Sequence, residues 1–143
     1  MANWFVTKVK YNRTDERGLM KMVTEQYLVD AHTFTEAETR IYEKLEQNVI
    51  GDFDVDVIGR TNYTDVFFYG DAALWHKCKI QYFLEDESTG KEKRVTQYML
   101  VEAQTVKEAY DRIRESLRSM TIDFTVPDII ETKIIDVYDY KGK

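Results

Sequence analysis

The stretch GLMKMVTEQYLVDAHTFTEAETRIYEKLE, residues 18–46, decides the fold because it occurs twice in the chain. It aligns without a gap on residues 90–118, GKEKRVTQYMLVEAQTVKEAYDRIRESLR, and 14 of the 29 aligned pairs are identical. Ordinary composition would give about two identities. The segment WFVTKVKY at Trp4 also returns as WHKCKIQY at Trp75. The sequence therefore predicts an internal duplication, with repeats at about 1–70 and 71–143.

Each repeat is predicted to contain strand, strand, helix and strand in that order. Residues alternate with period two around Trp4 and Trp75, and a turn-rich segment containing a glycine then leads into a second strand. Thr33-x-x-Glu36 and Thr105-x-x-Glu108 are capping boxes, which predict where two helices begin. Apolar residues then recur at helical spacing, so each helix should pack on a sheet. They are Phe34, Ala37, Ile41 and Leu45, and Val106, Ala109, Ile113 and Leu117.

The last strand of each repeat is predicted in DFDVDVIG, where Gly59 should mark a bulge, and in DIIETKIIDVY. A repeat of about 70 residues would bury too little apolar surface alone, so the halves should share a core or a sheet. We therefore expect residues 1–143 to form a single α+β domain, pseudo-twofold, with antiparallel sheet and two helices. The strand order, and whether the repeats share one sheet, remain open.

Composition excludes several classes of protein. The single Cys78 cannot close an intrachain disulfide, and two histidines with one cysteine give no zinc-ligand cluster. No apolar run approaches the roughly 18 residues of a membrane span, and the N-terminus lacks the features of a signal peptide. We expect a cytoplasmic protein without a membrane association, a metal or a cofactor.

Charge argues against a general binder of duplex nucleic acid, because the formal net charge is −6 and the pI about 5.0. The basic residues are nevertheless concentrated. Residues 1–24 and 75–95 each carry five of the 20 lysines and arginines, whereas residues 25–74 carry three, against eleven acidic residues. Local basic surfaces can therefore exist on an acidic protein.

The run YLVDAHTFTEAETRI, together with WFVTKVKY, resembles an uncharacterised domain-of-unknown-function family of small proteins from intestinal anaerobic bacteria and their phages and mobile elements. The similarity covers most of the first half and parts of the second. The resemblance implies a biological setting, and it carries no catalytic residue to transfer.

Catalytic motifs are missing from the sequence. It contains no phosphate-binding glycine loop, no G-x-S-x-G, no H-E-x-x-H and no C-x-x-C. His76 and Cys78 should share one strand face, where we interpret Cys78 as a half-buried structural residue. Asp52, Asp54 and Asp56 alternate and could attract a divalent cation, but a solvated acidic edge strand is the favoured interpretation. We predict no catalytic residues and no metal, and a protein that is not an enzyme.

The most suggestive pattern lies on the outer face of the first strands. A tryptophan accompanied by lysines could stack on a base and neutralise a phosphate. The candidate ligand-binding residues are Trp4, Lys8 and Lys10 in the first repeat and Trp75, Lys77 and Lys79 in the second. In the alternative interpretation, each tryptophan covers the edge of the sheet and the lysine stems lie over it.

Two functions remain open at this point. The first is non-catalytic binding of a polyanion, either single-stranded nucleic acid or a nucleotide-like small molecule, through the Trp/Lys face. The second is a protein-interaction or inhibitor module acting on a host or phage protein, through exposed tyrosines and the acidic middle segment. The sequence does not decide the oligomeric state.

Overall fold

The structure, a computed structural model, describes residues 3–49 and 51–140. The predicted α+β class is confirmed: two helices accompany two four-stranded sheets in which antiparallel pairs dominate. In chain order the elements are β1 (Asn3–Thr14), β2 (Met20–Ala31), α1 (Phe34–Asn48), β3 (Phe53–Arg60), β4 (Tyr63–Phe67), β5 (Trp75–Glu85), β6 (Glu92–Glu102), α2 (Val106–Ser116), β7 (Phe124–Glu131) and β8 (Ile134–Tyr138).

The chain divides into two compact units, each with its own sheet and helix. The first unit runs to Thr61 and resumes at Lys133, and the second is Asn62–Thr132. The outer ends of the predicted repeats, residues 1–2 and 141–143, lie outside the described residues. The duplication and the single pseudo-twofold domain stay predictions.

The sheet of the first unit has the order β3-β1-β2-β8. β1 is antiparallel to both β2 and β3, and β8 is parallel to β2. The register between β1 and β3 shifts at Asp56, which has no partner on β1, whereas Gly59 pairs regularly with Val6. The bulge expected at Gly59 is therefore three residues earlier. Helix α1 covers the inner face of this sheet with Ala37, Ile41 and Leu45, all fully buried.

The sheet of the second unit has the order β4-β6-β5-β7. β5 is antiparallel to β6 and β7, and β4 is parallel to β6. Ile113 of helix α2 and Leu117, directly after the helix, lie in one buried cluster with Cys78, Ile80 and Met99. The predicted apolar stripes of both helices thus face their sheets, except that their first members, Phe34 and Val106, are half exposed.

Both helices begin at the predicted capping boxes. The Thr33 hydroxyl accepts a hydrogen bond from the Glu36 N–H at 3.1 Å, and the Thr105 hydroxyl accepts one from the Glu108 N–H at 3.0 Å. Each glutamate accepts in return from the N–H one residue before the cap, His32 or Gln104. Donors that the helix itself leaves unsatisfied are thereby bonded at both starts.

The end of each repeat differs from the prediction of one strand, because it forms two strands that join different sheets. β3 stays with the first unit, whereas β4 joins the sheet of the second unit. β7 stays with the second unit, and β8 completes the first. Each pair is joined by two residues, of which Thr61 and Thr132 donate from their backbone N–H to the carbonyls of Trp4 and Trp75, at 2.9 and 2.8 Å.

Distance explains why the fourth strands are exchanged. The open position beside β2 lies three strand spacings from β3, about 14 Å away. A strand parallel to β2 would also have to begin at the sheet end where β3 begins, because β3 and β2 run in the same direction. The linker Thr61–Asn62 spans about 11 Å at most between its flanking Cα atoms. β4 therefore cannot occupy the position beside β2 in its own repeat.

A carboxylate and an arginine anchor the segment that follows each exchanged strand. Glu102 accepts backbone hydrogen bonds from Tyr69, Gly70 and Ala72, at 2.9, 2.8 and 3.2 Å. Arg112 lies 4.5 Å from the centre of the Tyr69 ring. In the first unit the corresponding Asp30 accepts the Tyr140 N–H, and the Arg40 guanidinium lies 4.6 Å from the Tyr140 ring.

Candidate binding face on the second sheet

The six predicted ligand-binding residues lie on β1 and β5, on the sheet face opposite the helices. The alternating residues Phe5, Thr7 and Val9, and likewise His76, Cys78 and Ile80, are fully buried on the helix side. The two sets of predicted residues do not coincide position by position. The tryptophans correspond, as do Lys8 and Lys79, but Lys10 aligns with Gln81 and Lys77 with Val6.

In the first unit one of the two predicted lysines, Lys10, already forms an ion pair. The Lys10 ammonium lies 3.4 Å from Asp56, the bulged residue of β3, and both side chains are about half exposed. Trp4 and Lys8 are of intermediate exposure. The ion pair lowers the positive charge that this face presents to an anion.

Trp75 does not offer an open ring in the second unit. It is 4% exposed, and its ring meets Phe68 edge to face, with 5.3 Å between the centroids. A base could not stack on a tryptophan packed in this way. At Trp75 the structure therefore supports the alternative interpretation, in which the indole covers the sheet.

Lys77 and Lys79 form the centre of a small hollow on this face. The Lys77 ammonium lies 4.6 Å from the ring centre of Tyr98 on β6 and 6.0 Å from that of Tyr63 on β4. We call this site the Lys77 hollow. It measures about 180 Å³ and is lined by Lys77, Lys79, Tyr98, Asp128 and Ile130.

The charges on this face favour the binding of an anion beside the two lysines of β5. Two lysines stand against one carboxylate, Asp128, which lies opposite Lys79 in the β5–β7 register. Tyr63 adds no negative charge beside Lys77, because a tyrosine phenol is neutral at physiological pH. Burial raises the pKa of Tyr63 further, to about 12. Ile130, 53% exposed, supplies an apolar surface next to the cations.

The sequence analysis did not predict Tyr98 and Tyr63 as site residues, for two different reasons. Tyr98 lies opposite Lys79 in the β5–β6 hairpin, so pairing the strands outward from the turn at Gly90 would have placed it on this face. Tyr63 reaches the site only because β4 joins this sheet, and parallel pairing leaves no local turn signal.

His76 and Cys78 do not form a thiolate and its base. Burial raises the pKa of the Cys78 thiol to about 12 and lowers the pKa of His76. The His76 ring nitrogens have no hydrogen-bond partner within residues 3–49 and 51–140.

Nothing in the described part of the chain brings three His, Cys, Asp or Glu side chains together as metal ligands. None of the described helices has the length and apolar character to cross a membrane. That the protein lacks catalytic residues, a metal and a cofactor stays a prediction.

Residues 3–140 match the model of one protein family, described as a domain of unknown function, DUF4494. The chain belongs to this family. DUF4494 thus covers both units and every residue of the Lys77 hollow. No curated protein and no solved structure shows significant similarity to the chain.

Proposed function

We propose that this DUF4494 protein is a non-catalytic binding protein whose ligand is a polyanion, either single-stranded nucleic acid or a nucleotide-like small molecule. The carrying observation is the Lys77 hollow, in which an ammonium group lies 4.6 Å from a tyrosine ring and a second lysine lines the same wall. Phosphate would be neutralised by Lys77 and Lys79. A base would pack on Tyr98 and the exposed Ile130.

The size of the hollow favours a locally held ligand. Its volume of about 180 Å³ is below the roughly 300–1,000 Å³ of sites that enclose a drug-sized molecule. One base or one phosphate group would enter it, and the rest of a strand would remain outside. With a net charge of −6, long duplex DNA is repelled by most of the surface.

We place this function in the cytoplasm and in the setting of a phage or mobile element. Support comes from the resemblance of YLVDAHTFTEAETRI, together with WFVTKVKY, to a family of small proteins from intestinal anaerobic bacteria and their phages and mobile elements.

Fluorescence anisotropy with labelled oligonucleotides and nucleotides at low salt tests the proposal. Replacing Lys77 and Lys79 by glutamine should weaken binding at least tenfold, about 1.4 kcal/mol. The slope of log affinity against log salt should fall by about 0.7, because the hollow holds one phosphate of a single strand. The matched control replaces Lys8 and Lys10, which carry the same charge on the first sheet, and should change affinity little.

Tyrosine and tryptophan variants separate the two aromatic interpretations. Tyr98→Ala should weaken binding while the protein stays folded, because Tyr98 is only partly buried. Trp75→Ala should instead lower the melting temperature, since it removes a buried side chain. Wild-type protein that binds neither ligand class at low salt overturns the proposal.

The alternative function is a protein-interaction or inhibitor module. The sequence suggested exposed tyrosines as its contact residues, but exposed apolar side chains on the hairpins favour it more. Tyr27 is 7% exposed, and Tyr63 and Tyr138 are partly buried, so these three tyrosines offer little contact surface to a partner. Exposed apolar side chains instead lie on the two hairpins, including Met20 and Phe83. A pull-down with a host or phage protein, lost on changing Met20 to Ser, would support this function.

A further inference from the structure

Part of strand β2 is an open sheet edge. β8 pairs with β2 only from Gln26 to Val29. Within the described residues, Met20–Glu25 has β1 on one side and no strand on the other. Such an edge offers a row of backbone donors and acceptors to any strand that can align with it.

The same segment has an exposed apolar surface. Leu19, Met20 and Met22 are 58, 69 and 64% exposed, and they lie within four consecutive residues. Large apolar side chains beside an open edge favour pairing with another strand over continued exposure to water.

We propose that this edge binds the same edge of a second copy of the chain, antiparallel and with the twofold axis at Val23. In this register Lys21 lies opposite Glu25 of the partner, twice by symmetry, and Met22 lies opposite Thr24. In this register every residue from Lys21 to Glu25 pairs with a residue of the second copy. A shift of the axis to either neighbouring residue loses both Lys–Glu pairs.

The charged pair is only partly available to a partner, because the Glu25 side chain is 15% exposed. Lys21 is 68% exposed and lies 3.7 Å from Asp15, a surface ion pair that contributes little stability and can be replaced. Glu25 accepts hydrogen bonds from Tyr11 and Tyr27 through Oε1, whereas Oε2 lies 3.9 Å from the exposed Arg13. Oε2 is therefore the oxygen that would receive the Lys21 ammonium of the second copy.

The second unit contains a matched edge that lacks this complementarity in the equivalent register. β4 covers β6 only from Tyr98 to Val101, which leaves Glu92–Gln97 open among the described residues. Pairing about Val95 would place Lys93 opposite Gln97 and Arg94 opposite Thr96. No ion pair forms there, so β6 provides the control within the same chain.

The expected dimer is weak, because an edge contact of five residues buries less than the roughly 1,200 Å² of stable complexes. Sedimentation velocity of the full chain from about 5 to 500 µM should show a rapid monomer–dimer equilibrium, with a dissociation constant inside this concentration range. Lys21→Glu places like charges opposite each other twice and should raise that constant at least tenfold. Lys93→Glu, the same change on the matched edge, should leave it unchanged.

A cysteine at the axis gives an independent measurement. Val23→Cys should form a disulfide-linked dimer on mild oxidation, because the two thiols lie directly opposite each other. Val95→Cys should remain monomeric under the same conditions, and the native Cys78 is fully buried. A chain that is monomeric at every concentration, a dimer insensitive to Lys21→Glu, or equal cross-linking of both cysteine variants would each overturn the proposal.

Discussion

At the scale of single residues, one buried position holds an apolar side chain in the first unit and a polar one in the second. Phe5 in the first is fully buried and meets Phe34 edge to face at 5.0 Å. Its counterpart His76 is equally buried, but its ring nitrogens lack partners among the described residues. His76→Phe should therefore raise the free energy of unfolding by about 1–3 kcal/mol, measured by urea denaturation. A variant less stable than the wild type would contradict this expectation.

The same histidine should make stability depend on pH. Burial lowers the pKa of His76 in the folded state, while the carboxylates of Glu131 and Glu108 oppose this shift. Because the unfolded chain then binds the proton more readily, His76 destabilises the fold as pH falls below about 6.5, the ordinary histidine value. Denaturation midpoints measured at pH 7.5 and 5.5 should differ more in the wild type than in His76→Phe. Equal differences would show that other groups are responsible.

Glu102 is the second residue with a predicted effect on stability. Its carboxylate is 7% exposed and accepts three backbone N–H groups of the segment after β4. Glu102→Ala should lower the free energy of unfolding by about 3 kcal/mol, since it leaves these donors without their charged acceptor. Glu92→Ala, at the exposed end of the same strand, serves as the control. Similar losses in both variants would argue against the anchoring role.

At the scale of elements, the helix starts are the clearest target. Thr33→Ala and Thr105→Ala each remove the hydroxyl that accepts a hydrogen bond from the N–H of the third helical residue. Each should lower the free energy of unfolding by about 1 kcal/mol. Thr35→Ala, at an exposed position inside α1, should change stability much less. Thermal unfolding of the three variants distinguishes the cap from general loss of a hydroxyl.

Local patterns predicted the elements whose partners are near in sequence. The capping boxes and the apolar spacing located both helices, and the glycine turns located both hairpins, because these signals reside within a few residues. β4 and β8 were not separated from the strands before them. Their partners, Tyr98–Val101 and Gln26–Val29, lie more than 30 residues away and pair in parallel, without a shared turn.

In the candidate site too, local patterns predicted some residues, and distant strand pairing determines the others. Lys77 and Lys79 were predicted because alternation along β5 fixes their face. The contribution of Tyr63 and the burial of Trp75 depend on β4 and on Phe68 just after it. A sequence read strand by strand cannot show which sheet receives β4.

At the scale of the whole molecule, the two-residue linkers predict how half a chain behaves. A fragment of residues 1–71 contains β4 but cannot place it beside its own β2. We expect the fragment to fold only as a dimer in which each copy gives β4 to the other. Light scattering and circular dichroism of the purified fragment would measure this.

A shorter fragment provides the control for the exchange. Residues 1–61 lack β4 and should neither dimerise in this way nor unfold cooperatively. Cooperative unfolding of residues 1–71 as a monomer would contradict the obligatory exchange, because it would require a fourth strand that the linker cannot deliver.

The exchanged strands also set an order of events during synthesis on the ribosome. All four strands of the second unit lie within the continuous segment Asn62–Thr132, whereas the first unit needs β8, which is made after that whole segment. At about 5–20 residues per second, the first three strands wait several seconds or more for their fourth. The half that is translated first is therefore the half that completes its sheet last, and during that interval its β2 edge depends on chaperones or on its own charges to avoid pairing with other nascent chains.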